Sequence, residues 1–237
     1  MSRRRFFVPQ VSDAHAEIAG EEARHLTQVL RVEPGQMYEI SDNQSVYLAE
    51  IESARKSLVE FRVLERLADP ISQIPVVLLV ALFKFDRLEL LLEKATELGV
   101  TSVRFVRAER SDKGLEKAAE KRIERWRRIA MEASQQSRRL RIPDLYEPVR
   151  FKEAILTPAT SRLFLDEDRT GIPVIEAVPR TAESVALLVG PEGGWPEHER
   201  TAARNAGWTS VSLGEHILRA ETAAIAGLAV VNAILRR

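Results

Sequence analysis

The apolar run Val185–Val189 passes without a spacer into Gly190, Pro191, Glu192, Gly193 and Gly194, and this junction constrains the fold more than any other stretch of the chain. A backbone that turns sharply where no Cβ obstructs it can carry a buried strand straight into a helix and can offer its own polar groups to a ligand. Pro196 suits the first position of that helix, Glu197 and Glu199 suit its opening turn, and Gly207 suits a left-handed stop. A second strand, 209–213, ends at another glycine, Gly214. GPEGG lacks the Lys and Ser/Thr of a phosphate-binding P-loop and the GxGxxG spacing of a dinucleotide site, and Glu192 would repel a phosphate. A tight strand-to-helix turn with no ligand is the plain alternative for this loop taken alone.

The surrounding chain alternates strand and helix, which predicts a parallel sheet covered on both faces. Strands are expected at 76–82, 100–106, Ser161–Leu165, Val185–Val189 and 209–213. A helix over 87–98 places Leu88, Leu91, Leu92, Ala95 and Leu98 on one stripe and stops at Gly99, and a single long helix is expected over 115–138. The final helix, 222–235, is apolar almost all round and rich in Ala and Gly, so it must be buried in this chain's core or against a second copy. Before residue 70 the pattern differs. Short runs at Met37–Ser41, 46–51 and 58–64 alternate apolar and polar positions between turn formers, which reads as a small β-barrel. A short helix over 21–30 can turn Leu26, Val29 and Leu30 inward. The segment 67–75, with two prolines and little periodicity, reads as a linker, dividing the chain into domains 1–70 and 75–237.

Cysteine is absent, which excludes disulfides, thiolate metal sites and chemistry that attacks a pyrimidine ring through a thiolate. No His/Asp/Glu cluster has metal-ligand spacing, so a metal-free reaction is expected. No apolar run reaches membrane-spanning length and the arginine-rich start lacks a signal peptide's apolar region, so a cytoplasmic location is expected. The 35 Lys and Arg balance the 35 Asp and Glu, yet residues 121–141 hold eight basic side chains against two acids. Such a strip can attract RNA phosphates, with salt sensitivity through counterion release. The alternative is a solvated helix face with pairs such as Arg128 and Glu132.

GPEGGW followed by SLGEHILRAETA resembles the SPOUT class of RNA methyltransferases, and within it the family that methylates N3 of a uridine in 16S ribosomal RNA. Further matching parts in family order are RRFFV at 4–8, HLTQVLRVEPGQ at 25–36, KFDRLELLLEKATELGV at 84–100, RAERSDKG at 107–114 and ASQQSRRLRIP at 133–143. Gln135 stands where the family usually has an acid, and the residues after Arg110 depart from its pattern. The resemblance implies an N-terminal PUA-like RNA-binding β-barrel and a C-terminal SPOUT α/β domain with a deep trefoil knot, formed where the last segment tucks through the GPEGG loop. It also implies a homodimer, S-adenosylmethionine as cofactor and the small ribosomal subunit as partner.

On that resemblance Leu165, Val189, Gly190, Pro191, Glu192, Gly193, Leu213, Gly214, Ile217 and Leu218 are expected to form the cofactor slot, with Ala223 beside them. Glu221 and Thr222 either join it or cap the last helix. Loss of the uridine N3 proton would be favoured by a cation that stabilises charge developing on O2 and O4; Arg219 is the first candidate, then Arg138 or Arg139. Arg4, His25, Arg31, Arg110, Arg128, Arg138 and Arg139 are expected RNA contacts. Two other classes stay open: a non-catalytic RNA-binding assembly protein on the same fold, and a small-molecule enzyme on a dinucleotide fold, against which the missing GxGxxG counts.

Overall fold

The computed structural model describes residues 4–68, 74–167 and 171–235, so the central part of the expected linker, 69–73, lies outside the described residues. The chain divides into two compact units, residues 1–72 with 134–142 and residues 73–133 with 143–237.

The first unit is a six-stranded curled sheet. Its strands are β1 (Arg5–Phe7), β2 (Val11–Ser12), β3 (His15–Ala19), β4 (Met37–Ser41), β5 (Val46–Arg55) and β6 (Leu58–Arg66), in the order β1-β4-β5-β6-β3-β2. All neighbours pair antiparallel except β1 with β4. Register shifts in the β5–β6 ladder, between Leu48 and Ala49 and between Ile51 and Ser53, are irregularities of the kind that bends a sheet. Phe6, Ile18, Leu26, Ile40, Ile51 and Phe61 fill the inside of the curl. The expected helix over 21–30 splits into α1 (Gly20–Arg24) and a π-helical turn, His25–Val29. The wider turn rotates the side chains off a 3.6-residue stripe: Leu26 is buried, but Val29, expected inside, is 64% exposed.

Segment 134–142 belongs to this unit and is tied to it by polar contacts. Arg138 Nη2 donates to Glu39 Oε1 at 2.9 Å, Arg5 Nη2 to Glu39 Oε2 at 2.8 Å and Arg5 Nη1 to the Arg138 carbonyl at 2.7 Å. Ser41 Oγ donates to the Leu140 carbonyl at 2.6 Å. Gln135 Nε2 donates to Glu22 Oε1 at 2.8 Å; burial raises the Glu22 carboxyl above its ordinary value, and the Gln135 bond opposes this.

The second unit is built on a seven-stranded, wholly parallel sheet: β7 (Val76–Ala81), β8 (Ser102–Arg107), β9 (Asp144–Arg150), β10 (Ser161–Leu165), β11 (Ile172–Pro173), β12 (Val185–Val189) and β13 (Thr209–Ser212). Their order is β11-β13-β10-β12-β7-β8-β9. The central strands β7 and β12 are almost entirely buried, as strands covered on both faces must be. The helices are α2 (Phe85–Glu97), α3 (Leu115–Glu120), α4 (Ile123–Gln136), whose residues from Ser134 onward belong to the first unit, α5 (Phe151–Ala154), α6 (Val174–Ala177), α7 (Glu197–Asn205) and α8 (Ala220–Leu235). The long helix expected over 115–138 is therefore two helices. Arg122 N donates to the Ala119 carbonyl at 2.8 Å, closing α3 with a tight turn. Trp126 then anchors α4 between Phe85 and Phe105, at ring distances of 5.5 and 4.5 Å. Pro196 is the N-cap of α7 rather than its first residue, and α8 starts two residues before the expected 222. One face of α8 is buried, through Ala224, Gly227, Leu228 and Val231, whereas Ala229 and Ala233 are exposed.

Candidate functional site

Strands β13, β10 and β12 are neighbours and parallel, so their carboxyl ends share one edge of the sheet. The loops leaving those ends meet around a cavity of about 650 Å³. This is where open α/β sheets bind ligands, because a crevice forms where connections depart in different directions, and the volume suits a nucleoside-sized molecule.

Each wall follows from local sequence. Leu165 ends β10 and Val189 ends β12, and both line the cavity. The Gly190–Gly194 loop is folded by a turn in which Gly194, at φ +68°, donates its N–H to the Pro191 carbonyl at 3.0 Å. Gly190 is required for a different reason: a Cβ there would lie 2.7 Å from Trp195 Nε1. That indole is fully buried and donates to the Leu165 carbonyl at 3.0 Å, joining the end of β10 to the loop after β12. The third wall is 213–219 with Ala220 and Ala223; Gly214, at φ +127°, has open space where a side chain would begin, and Ile217 is 82% exposed. A flat apolar group could be held between Leu165, Val189, Leu213 and Leu218, with backbone edges supplied by the glycines.

Electrostatics at the rim are set by pairs. Arg87, from the start of α2, ion-pairs with Glu192, and its Nε lies 3.9 Å from Glu221 Oε1. Glu221 is buried and its Oε2 has no hydrogen-bond partner among the described residues, so a buried carboxylate oxygen is left to be satisfied beside the cavity. Arg200 Nε reaches both oxygens of Asp166 at 3.0 Å. Arg219 is exposed and belongs to the lining, so it places a cation at the site.

Of the residues expected to hold a cofactor, Leu165, Val189, Gly190, Pro191, Glu192 and Gly193 line the cavity, and so do Leu213, Gly214, Ile217, Leu218 and Ala223. Glu221 and Thr222 are outside the lining, in the first turn of α8; Thr222 is exposed. Arg138 sits in the first unit, bonded to Glu39, as do Arg4, His25 and Arg31, all exposed. Arg139 is partly buried there, and burial pushes its guanidinium down to about 10, still cationic at neutral pH. Arg110 does not project away from the second unit: its Nη1 donates to the Gly193 carbonyl at 3.0 Å. The basic strip is less open than its sequence suggests. Arg128 is exposed, but Glu89 of α2 bonds both Arg122 and Arg125, at 2.9 and 2.8 Å, and Arg125 foremost lowers the Glu89 carboxyl below its ordinary value.

Sequence reasoning missed Arg87 and Trp195 as parts of the site. Trp195 carried a signal, since it directly follows the glycine loop; Arg87 falls inside the matching part 84–100, but nothing in the sequence links it to Glu192, more than a hundred residues later.

Comparison with known proteins places these features in company. Residues 70–232 match the family described as an RNA methyltransferase domain, and residues 18–64 match the RNA methyltransferase PUA domain. The ribosomal RNA small subunit methyltransferase E of Mycobacterium bovis is 33% identical over 243 residues, covering 98% of this chain and 92% of that one. Its namesake from Synechocystis is 32% identical, covering 95% and 75%. Among solved structures, the Neisseria gonorrhoeae ribosomal RNA small subunit methyltransferase E bound to S-adenosyl methionine superposes with a TM-score of 0.87 at 29% identity, over 96% of each chain. A Legionella pneumophila protein in complex with the bound cofactor SAM gives 0.88 at 29% identity, over 98% of each.

Proposed function

The chain belongs to the ribosomal RNA small subunit methyltransferase E family, and we propose that it transfers a methyl group from S-adenosylmethionine to N3 of one uridine in 16S ribosomal RNA of the small subunit. Convergence of three loops at the carboxyl ends of adjacent parallel strands on one cavity of about 650 Å³ carries this reading. The donor set fits the cofactor: glycine backbone and apolar side chains for adenosine, and, beside the lining residues Ala220 and Ala223, a buried carboxylate oxygen of Glu221 that has no hydrogen-bond partner among the described residues. When bound, S-adenosylmethionine supplies the methyl on its sulfonium. The protein's own part is to hold and to polarise. Leu165, Val189, Gly190, Pro191, Gly193, Leu213, Gly214, Ile217, Leu218 and Ala223 hold the adenosine, with Glu192 at the mouth and Glu221 and Thr222 at the first turn of α8.

Arg219, exposed on the cavity lining, stabilises the charge that develops on O2 and O4 of the uridine as its N3 proton passes to solvent and N3 takes the methyl from the sulfonium. Arg138 is shared with Glu39 and serves this purpose less well. The 1–70 region docks the RNA through Arg4, His25 and Arg31, helped by Arg128 and Arg139, and 75–237 carries the chemistry. We further assign to the second unit the trefoil knot of its class, to the protein a homodimer in the cytoplasm, and to the reaction no metal; among the described residues no helix is long and apolar enough to cross a membrane.

Calorimetric titration with S-adenosylmethionine tests the reading. One site per chain is expected, with no heat from nicotinamide dinucleotides. A protein that binds small-subunit RNA but not the cofactor would instead be a non-catalytic assembly factor.

A further inference from the structure

Between the glycine loop and α7 the chain closes a small ring of contacts that the proposed chemistry does not use. Glu199, in the first turn of α7, accepts the backbone N–H of Glu109 on Oε1 at 3.1 Å. Its neighbour His198 places Nε2 3.1 Å from Glu109 Oε2, a second link to the same residue. Ser111 donates its N–H to the Ala108 carbonyl at 3.1 Å, so the segment after β8 makes a tight turn with Glu109 and Arg110 at its tip. Arg110 then sends Nη1 back to the Gly193 carbonyl at 3.0 Å. The ring runs from Gly193 through Trp195 and Pro196 to Glu199, across to Glu109, and through Arg110 back to Gly193.

Two details make this more than surface decoration. Glu199 is only 5% exposed and its Oε2 has no hydrogen-bond partner among the described residues, so a carboxylate has been buried at a cost in order to hold one backbone N–H. A Cβ on Gly193 would stand 3.3 Å from Arg110 Cβ, so loop and arginine already lie flush. Neither Arg110 nor Glu199 lines the cavity, whereas Gly193 does.

We infer that Arg110 and Glu199 are positioning residues that fix the Gly190–Gly194 loop in its ligand-ready shape, Glu199 by anchoring the 108–111 turn and Arg110 by gripping the Gly193 carbonyl. The inference rests on that loop being part of the cofactor site, and it gives Arg110 a task other than contacting RNA. Preorganisation of this kind appears as affinity, because a loop already ordered need not be ordered on binding. Since the two residues act through one strut, removing either should break it.

The test is a cycle of Arg110→Ala, Glu199→Ala and the double variant in the full chain, with Glu199→Gln as the conservative change that retains an acceptor for the Glu109 N–H. S-adenosylmethionine affinity is measured by calorimetry, and affinity for small-subunit RNA separately. Each alanine variant should weaken cofactor binding about tenfold, and the double variant by about the same factor rather than a hundredfold. RNA affinity should stay within about twofold, and Glu199→Gln should recover most of the loss. Additive losses, or weakened RNA binding with unchanged cofactor affinity, would overturn the inference. Arg110→Ala and Glu199→Gln keep it testable should Glu199→Ala fail to fold. If the unaltered chain binds no cofactor, the cofactor reading falls and this inference with it; if it binds and the variants bind equally well, only this inference falls.

Discussion

Gly190 and Trp195 show how narrowly single residues set the site. An alanine at 190 would place its Cβ 2.7 Å from the indole nitrogen and displace the bond to Leu165. Gly190→Ala should therefore cost about 1–3 kcal/mol of stability by overpacking and lower cofactor affinity as well; denaturant unfolding and calorimetry on one preparation would check both. Glu199 makes a prediction in pH. Burial raises its carboxyl above the ordinary 4.5, partly offset by the Glu109 N–H, so folding favours its protonated form. The stability tied to this group is fully present below about pH 4.5 and is lost as pH rises through the raised value. Glu199→Gln cannot ionise. It should match the unaltered protein near pH 4 and melt at a higher temperature near pH 8, and a variant that lost ground between those two pH values would contradict the assignment. At this scale the glycines were legible in the sequence because a strand running into GPEGG needs them. Arg87 was not, because its pairing with Glu192 exists only once β7 and β12 lie side by side.

Elements were legible where burial alone decides them. Val185–Val189 is an unbroken apolar run and Ser161–Leu165 ends in the apolar Leu163, Phe164 and Leu165; both lie in the interior of a parallel sheet, and their observed bounds coincide with the expected ones. β9 was not foreseen, since Pro148 interrupts its sequence; it is the edge strand, where a residue without an N–H is tolerated, and its ladder with β8 shifts register just there. The break between α3 and α4 has no Gly or Pro to announce it and comes from tertiary packing of Trp126. A Cβ on Gly227 of α8 would meet Leu187 Cδ2 at 3.1 Å and Leu165 Cδ1 at 3.2 Å. Gly227→Val should push α8 off the strands that floor the cavity, lowering the melting temperature and cofactor affinity together. Glu89→Ala should release Arg122 and Arg125 from their shared carboxylate; RNA retention on filters should strengthen, with a salt slope steeper by up to about two units. An unchanged slope would show that this face of α4 does not meet RNA.

For the molecule as a whole, two features visible in the chain, a β-rich start and a glycine-looped α/β remainder, correspond to a curled sheet and a parallel sheet whose ligand edge is set by β13, β10 and β12. The glycine loop and the family resemblance led to the expectation of a cofactor slot there, while the strand order that brings the three loops together became visible only in the fold. The sequence did not show that segment 134–142, read with the second domain, joins the first unit through Arg138, Leu140 and Ile142, because those contacts are made with residues about a hundred positions away. The reaction is tested by transfer of labelled methyl from S-adenosylmethionine to small ribosomal subunits lacking the modification, followed by digestion and nucleoside analysis. Label in N3-methyluridine is the predicted result; label in another nucleoside, or none from a protein that binds both cofactor and subunit, would contradict it.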